Sequence, residues 1–253
     1  MKSGALYPNY CLEDLSTKKN RKFKLGIPEV CFCDIPITMA DLFLEKYGKY
    51  ALAFSKQWGV NKGCNPVQYV SNEQIIDGAI QRDKYLQELL KKIVIQVMKK
   101  EEPDLNDQIK AIDDVQANIY ALGFMKKYKS SDYETDYVNY DENEWRYIIG
   151  DEWFRSEKEY IKWRGKNNYI SKKTGKLVKA KKKPRPIGRL KLEALRFTPL
   201  DINHIIVYEE SEIPSLISEI NELTQIGTYV LDDFQKSILI SKISSFERIK
   251  LDF

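Results

Sequence analysis

Glu144 and Arg146 are the two residues whose types and spacing most directly suggest chemistry. They flank Trp145 in segment 144–149, where the residues alternate in the pattern of a β-strand. Alternate side chains of a strand lie on one face, so the carboxylate and the guanidinium are expected to be neighbours. The pair is either a catalytic carboxylate beside a positive group or an ion pair that stabilises the fold, and the ion pair is the preferred interpretation.

A strongly basic segment is the second candidate for function. Between Tyr160 and Leu192 the chain has thirteen Lys and Arg residues and no acidic residue. The candidate nucleic-acid-binding residues are the nine cations that crowd together in this segment: Lys172, Lys173, Lys176, Lys179, Lys181, Lys182, Lys183, Arg185 and Arg189. Each cation that contacts a phosphate releases a counterion, and Trp163 and Tyr169 lie close enough in sequence to stack on bases. The alternative interpretation is a solvated loop.

The net charge is unevenly distributed along the chain. The whole chain has a formal net charge of +4, so subtracting the thirteen cations of the basic segment leaves −9 for the remainder. An acidic body with one basic segment is expected to attract different partners at its two surfaces.

The pattern of cysteine and histidine residues predicts no metal site. The four cysteines form no Cys-x-x-Cys pair, and His204 is the only histidine. Cys31 and Cys33 are two positions apart in a predicted strand, where free thiols are expected to be small buried apolar groups. His204, at the start of another predicted strand, is expected to be structural. Asp34, at a strand end, is interpreted as a turn residue, with a site residue as the alternative.

The composition indicates a protein with a sizeable core. Hydrophobic residues make up 43% of the 253 residues. The longest apolar runs, such as residues 205–208, are far shorter than the ~20 residues that cross a bilayer. Residues 1–4 do not begin an apolar segment of the kind found in secretory signals, so a cytoplasmic protein is expected.

The hydrophobic pattern predicts an α+β protein. Strands are predicted at residues 30–35, 50–54, 67–70, 144–149, 192–197 and 204–208, and helices at 39–47, 73–100, 105–128, after Ser211 and near 246–251. The two long helices form a hairpin inserted between sheet segments. The expected fold is one mixed sheet with this insertion and a C-terminal strand–helix segment. Residues 1–253 are expected to form a single domain, with the insertion at about 72–129 and the basic segment at about 160–192.

Three phrases of the sequence occur together in an unusual order. Residues 30–36 are Val-Cys-Phe-Cys-Asp-Ile-Pro, residues 47–59 are Tyr-Gly-Lys-Tyr-Ala-Leu-Ala-Phe-Ser-Lys-Gln-Trp-Gly, and residues 65–69 are Asn-Pro-Val-Gln-Tyr. With Tyr-Asp-Glu-Asn-Glu-Trp-Arg at 140–146, they resemble the AbiGi family over most of the chain. The resemblance is weakest in the helical insertion and the basic segment. It implies a role in abortive phage resistance, as the antitoxin half of a two-gene system.

The same layout has a more distant resemblance to ADP-ribosyltransferase folds. Those folds arrange an early His-x-Thr strand, a central tyrosine and a late glutamate around NAD. By this resemblance Glu144 is the glutamate, with Arg146 near it, and Tyr47 or Tyr50 is the tyrosine. AbiGi-like chains begin with a strand resembling His-Phe-Thr, whereas the present sequence begins after it, so either the true start lies upstream or the protein lacks that strand. Because such an enzyme works by positioning its substrate, loss of the histidine is expected to cost it heavily.

Three hypotheses follow from the sequence. The first is a non-catalytic partner protein without a cofactor, which binds a cognate protein from a neighbouring gene and, through the basic segment, nucleic acid. The second is an ADP-ribosyltransferase-like enzyme that uses NAD to modify nucleic acid or protein. The third is a plain nucleic-acid-binding module.

Overall fold

The structure, a computed structural model, describes residues 1–39, 47–99, 105–129, 138–150, 154–156, 158–160, 169–170, 177–178 and 192–251. The described helices are α1 (Lys56–Asn61), α2 (Glu73–Met98), α3 (Leu105–Gly123), α4 (Ile213–Glu222), α5 (Asp233–Ser241) and α6 (Phe246–Leu251). Short 3-10 helices lie at Asn139–Glu142, Pro199–Asp201 and Glu210–Glu212. The strands of the first half are β1 (Ala5–Leu6), β2 (Asn9–Asp14), β3 (Lys24–Cys33), β4 (Ala51–Phe54), β5 (Asn65–Pro66), β6 (Gln68–Val70) and β7 (Met125–Lys127). Those of the second half are β8 (Glu144–Ile148), β9 (Arg155–Ser156), β10 (Tyr169–Ile170), β11 (Leu177–Val178), β12 (Leu195–Arg196), β13 (Ile202–Val207), β14 (Gln225–Ile226), β15 (Tyr229–Val230) and β16 (Ile243–Ser245).

The largest sheet is antiparallel and separates two hydrophobic layers. Its strands run in the order β2-β3-β8-β5, and β9 also pairs with β3. Because side chains alternate across a strand, β3 and β8 direct one set of residues to each side. One side is aromatic and apolar. The other side is apolar near β9 and strongly charged near Glu144.

The aromatic side packs against the C-terminal part of the chain. The residues that β3 and β8 contribute are Val30, Phe32, Trp145 and Tyr147, and they pack on a buried cluster that includes Trp58, Phe197, Ile202, Ile220 and Leu239. In that part, β13 pairs in parallel with β16 and antiparallel with β4, so this smaller sheet is mixed. Helices α4 and α5 contribute Ile220 and Leu239, which anchor both helices to the core.

The opposite side is covered in part by the helical hairpin α2–α3. Ile27 and Ile148 of the sheet pack against Ile76 and Ile80 of α2 and Leu122 of α3. The hairpin also connects β6 to β7, which pair in parallel. Parallel neighbours require a long crossover, and here the two helices provide it. The crossover brings β7 beside β6 and close to the charged end of the large sheet.

The predicted α+β class and helical hairpin are confirmed, with differences in detail. The described strands are divided among several sheets instead of one mixed sheet. Strand β2 was not predicted, and β3 begins six residues earlier than the predicted start at Val30. The second hairpin helix ends at Gly123, because residues 125–127 pair with β6 instead of continuing the helix. The helix predicted after Ser211 is α4, which begins at Ile213 and ends at Glu222.

Two predicted features fall on parts of the chain outside the described residues. Most of the predicted helix at 39–47 and all thirteen cations of the basic segment lie outside the described residues. None of the described helices combines the length and the apolar character needed to cross a bilayer.

Candidate functional site

A buried cluster of charges lies on the large sheet where the hairpin meets it. Three adjacent strands contribute Glu13, Glu29, Glu144 and Arg146, β7 contributes Lys126, and the 3-10 helix before β8 contributes Glu142. Three of the carboxylates are almost completely buried, as is Arg146, which is 1% exposed. Such burial of charge is costly unless each group is paired, so the contacts within the cluster decide what it can do.

Arg146 is at the centre of the cluster. Its Nε donates to Oε1 of Glu144 at 2.6 Å, and its Nη2 donates to Oε2 of Glu13 at 2.5 Å. Its Nη1 donates to the carbonyl oxygen of Gly123 at 2.7 Å, which satisfies a carbonyl at the C-terminal end of α3. Oε2 of Glu29 lies 3.3 Å from Nε. The guanidinium therefore joins three strands and the end of a helix.

Gly123 is needed at this junction. A Cβ atom built on Gly123 would lie 2.8 Å from Cζ of Phe154 and 3.2 Å from Cδ1 of Ile148. The absence of a side chain lets the end of α3 approach the sheet closely enough for its carbonyl to meet Arg146.

Lys126 extends the cluster towards the 3-10 helix. Its ammonium donates to Oε2 of Glu144 at 2.6 Å and to Oε2 of Glu142 at 3.0 Å. Lys126 is the parallel partner of Tyr69, whose hydroxyl oxygen accepts a bond from the backbone N–H of Glu144 at 2.7 Å. Both oxygens of Glu144 and its backbone are thus engaged inside the protein.

The electrostatics of the cluster reflect an excess of carboxylates over cations. Burial alone would raise the pKa of Glu144, but Arg146 and Lys126 outweigh burial and hold it at about 2. Burial raises the pKa of Glu29 well above its usual value, although Arg146 opposes the effect. A hydrogen bond with Cys31 lowers the pKa of Cys11 to about 7. Glu144 is therefore a stabilised anion, whereas Glu29 is the carboxylate least compensated by its neighbours.

The structure brings together three of the four residues proposed as catalytic. Glu144 and Arg146 lie on one face, as predicted from their spacing. Burial is the main cause that raises the pKa of Tyr47, and the neighbouring Glu142 carboxylate is the next. The Tyr47 hydroxyl therefore lies beside the cluster, although 54% of the residue is exposed. Tyr50 lies elsewhere, because its hydroxyl donates to Oε1 of Glu212 at 2.6 Å.

The predicted burial of the Cys31 and Cys33 thiols was wrong, because Cys31 is exposed and Cys33 is only half-buried. Cys31 and Cys33 share a face of β3, as expected, but Cys31 is exposed, as is Cys11, and only Cys64 is buried. The physical reason is that this face of the sheet is polar and incompletely covered by the hairpin. His204 is exposed on β13, and the carboxylate of Asp34 forms an ion pair with Lys56 at 2.7 Å.

Two of the unusual sequence phrases, residues 30–36 and 47–59, build an aromatic cluster. Phe54 stacks on Trp58 with ring centroids 4.3 Å apart, and Phe32 meets both rings edge-on. The pair of Asp34 and Lys56 lies among the residues that line the small cavity beside these rings. These phrases thus supply the core that supports the large sheet from its aromatic side.

Four members of the charge cluster were missed by sequence reasoning. Glu13, Glu29, Glu142 and Lys126 lie on elements whose pairing was not predicted. One weak signal was present, since Glu29 stands between a proline and a valine in an otherwise apolar segment, where a charged residue requires a partner.

Acid is expected to weaken the fold through Glu144. Its pKa is about 2 in the folded protein against 4.5 for the unperturbed group. Because the folded state has the lower pKa, the stabilisation is complete above about pH 4.5 and is lost as the pH falls towards 2, with roughly 3 kcal/mol as its upper size. Urea unfolding between about pH 5 and pH 2 should show this loss, and Glu144→Gln should flatten it. An unchanged acid dependence in the variant would show that other groups are responsible.

Comparisons with known proteins agree with the residues that suggested a family. The family described as "Putative abortive phage resistance protein AbiGi, antitoxin" matches residues 4–208, which is most of the chain. A curated relative, "Abortive phage resistance protein AbiGi" from Lactococcus lactis subsp. cremoris, is 28% identical over 276 residues, covering 98% of this chain and 100% of the relative. No solved structure matches the chain. The chain therefore belongs to the AbiGi family of abortive phage resistance proteins.

Proposed function

We propose that this chain acts in abortive infection as the non-catalytic, antitoxin-like partner of a protein from a neighbouring gene. The observation that carries the proposal is an exposed apolar surface at the far end of the hairpin α2–α3. The description of the family as an antitoxin supports a protein partner.

The apolar surface begins where α2 extends beyond the core. Ile93 is its last buried residue, at 9% exposure. The apolar residues that follow in the same helix are between 49% and 79% exposed: Val94, Ile95, Val97 and Met98. On α3, Ile109 and Ile112 are also exposed and lie one turn apart. We call these six residues the hairpin tip.

The hairpin tip is suited to a protein contact. Single exposed apolar residues are common, but a contiguous group usually marks an interaction site. Apolar residues three and four positions apart, such as Val94, Val97 and Met98, form one stripe that fits into a hydrophobic groove of a partner. Elsewhere on α2 the exposed apolar residues Ile75 and Tyr85 stand singly.

The charge cluster supports the non-catalytic assignment. A catalytic carboxylate must reach its substrate, whereas both oxygens of Glu144 accept bonds from internal cations, and the residue is 5% exposed. His204, the histidine of the chain, lies on β13 in the other sheet. The arrangement matches an ion network that joins the strands of the large sheet to the hairpin. Such a network holds the hairpin, and with it the hairpin tip, in position.

Growth measurements test the proposal. Cells that express the neighbouring gene alone should grow poorly, and co-expression of this chain should restore growth. Glu144→Gln should restore growth as well as the wild type when the two chains accumulate to the same level. Failure of the wild-type chain to restore growth despite accumulating would contradict the antitoxin role. Loss of the effect in Glu144→Gln, together with transfer of label from NAD by the wild type, would favour the transferase.

We also propose that the basic segment contacts nucleic acid. The proposal rests on the sequence, which has thirteen cations and no acidic residue between Tyr160 and Leu192. Charge reversal at Lys181, Lys182 and Lys183 to glutamate is expected to weaken binding and to reduce the slope of log K against log salt by about 2 to 3, since each lost phosphate contact releases one counterion fewer. Fluorescence anisotropy with single- and double-stranded DNA over a salt series measures this slope. An unchanged slope would remove the segment as a contact.

A further inference from the structure

Two thiols and a carboxylate come together on the charged face of the large sheet. Cys11 lies on β2, and Glu29 and Cys31 lie on the neighbouring strand β3. One potential ligand atom from each residue lies within 4.8 Å of the other two. The three residues are brought together by strand pairing and not by a short sequence motif, which is why the cysteine spacing did not reveal them.

Glu29 provides an independent indication of a ligand. The residue is 4% exposed, and its Oε2 accepts no hydrogen bond in the part of the chain that the structure describes. The nearest cationic atom is Nε of Arg146 at 3.3 Å, but that N–H is directed to Glu144. A buried carboxylate oxygen without a hydrogen-bond donor costs free energy of folding. A cation bound between Glu29 and the two thiols would offset this cost.

The surroundings of the three residues favour a cation. Among the described residues, the cluster contains four carboxylates, those of Glu13, Glu29, Glu142 and Glu144, against the cations Lys126 and Arg146. Cys11 and Cys31 both have exposed surface beside the buried Glu29, so the three residues lie at the edge of the cluster.

We propose that Cys11, Cys31 and Glu29 form a binding site for one thiophilic divalent cation of the Zn²⁺ class. Two sulfur ligands select a soft or borderline metal over Mg²⁺ or Ca²⁺. Ligand atoms around a tetrahedral zinc ion lie roughly 3.2–3.8 Å apart. Side-chain rotations that move each ligand atom by less than about 1 Å bring the three residues to that spacing. Three protein ligands leave one position for water or for an atom from a partner.

The site would hold β2 and β3 together beside Arg146. Both thiols lose their protons when they bind the ion, and the ion then links β2 and β3 through their side chains as well as through their backbone pairing. Metal binding to the folded chain is therefore expected to raise its stability as well.

Metal titration of the reduced full-length chain tests the proposal. Equilibrium dialysis with Zn²⁺ alone should show one bound equivalent, and Co²⁺ should give the thiolate-to-cobalt charge-transfer absorption of a sulfur-ligated site. Cys11→Ser and Cys31→Ser should each weaken binding by about 100-fold or more and reduce the absorption, and Glu29→Gln should weaken binding by about 10-fold or more. Cys33→Ser is the matched control, because Cys33 is the next residue on the same face of β3.

The metal titration and the growth measurements can succeed or fail independently of each other. Circular dichroism shows whether each variant is folded, and a folded Cys11→Ser chain without bound cobalt supports the site. Absence of stoichiometric binding by the folded wild type, or an equal loss in Cys33→Ser, overturns it. Neither result depends on the neighbouring gene product.

Discussion

Replacement of Arg146 by methionine is expected to lower the free energy of unfolding by about 3–5 kcal/mol, because it leaves buried carboxylates without their common cation. Glu13 and Glu144 lose their hydrogen bonds to the guanidinium, and Glu29 loses its nearest cation. The carbonyl of Gly123 at the end of α3 also loses its donor. Urea unfolding followed by circular dichroism measures the change.

Arg248→Met is the matched control for this substitution. Arg248 forms an ion pair with Glu210 in which both side chains are about half exposed. Exposed pairs of this kind contribute about 0–1 kcal/mol, so the control should be close to wild type. Equal losses of unfolding free energy in the two variants would contradict the stabilising role of the buried cluster.

Charge placed on the hairpin tip is expected to abolish binding of the partner protein. The double substitution Val97→Glu and Met98→Glu puts two carboxylates into the contact and should weaken binding by about 100-fold or more. Both residues are exposed, so the stability of the free chain should change by no more than about 0.5 kcal/mol. Affinity capture of the neighbouring gene product from cells that co-express both chains measures the effect.

A control pair separates the hairpin tip from exposed apolar residues in general. Phe234 on α5 and Leu251 on α6 are 71% and 82% exposed, and neither belongs to the hairpin. The substitutions Phe234→Glu and Leu251→Glu should leave capture unchanged. Capture that survives charge on the tip but fails in the control would move the contact to the C-terminal helices.

The elements with a strong local pattern could be predicted from the sequence. The apolar stripe of 73–98 and 105–123 predicted the hairpin, and the alternation around Trp145 predicted β8 with Glu144 and Arg146 on one face. In the helices and in the strand, the regular repeat of side-chain directions along the element is enough to determine which residues share a face. The exposed end of the hairpin was not predicted, because the same apolar stripe continues past Ile93, the last buried residue of α2.

The composition of the charge cluster could not be predicted, because it depends on which strands pair. Arg146 and Glu13 are 133 residues apart in sequence, and nothing near Glu13 indicates that its strand is two places from β8. The same pairing brings Cys11 to Cys31. Lys126 was assigned to a helix, because the apolar residues before it continue the helical pattern, whereas Gly123 ends α3 and lets β7 form beside β6.

Light scattering of the purified chain mixed with the purified product of the neighbouring gene tests the central claim, a protein contact through the hairpin tip. The predicted result is a single complex of defined stoichiometry with the wild-type chain, and separate components with the chain carrying Val97→Glu and Met98→Glu. If folded wild-type chain and its proposed partner stay separate at micromolar concentrations, or if the tip variant forms the same complex, the claim is contradicted.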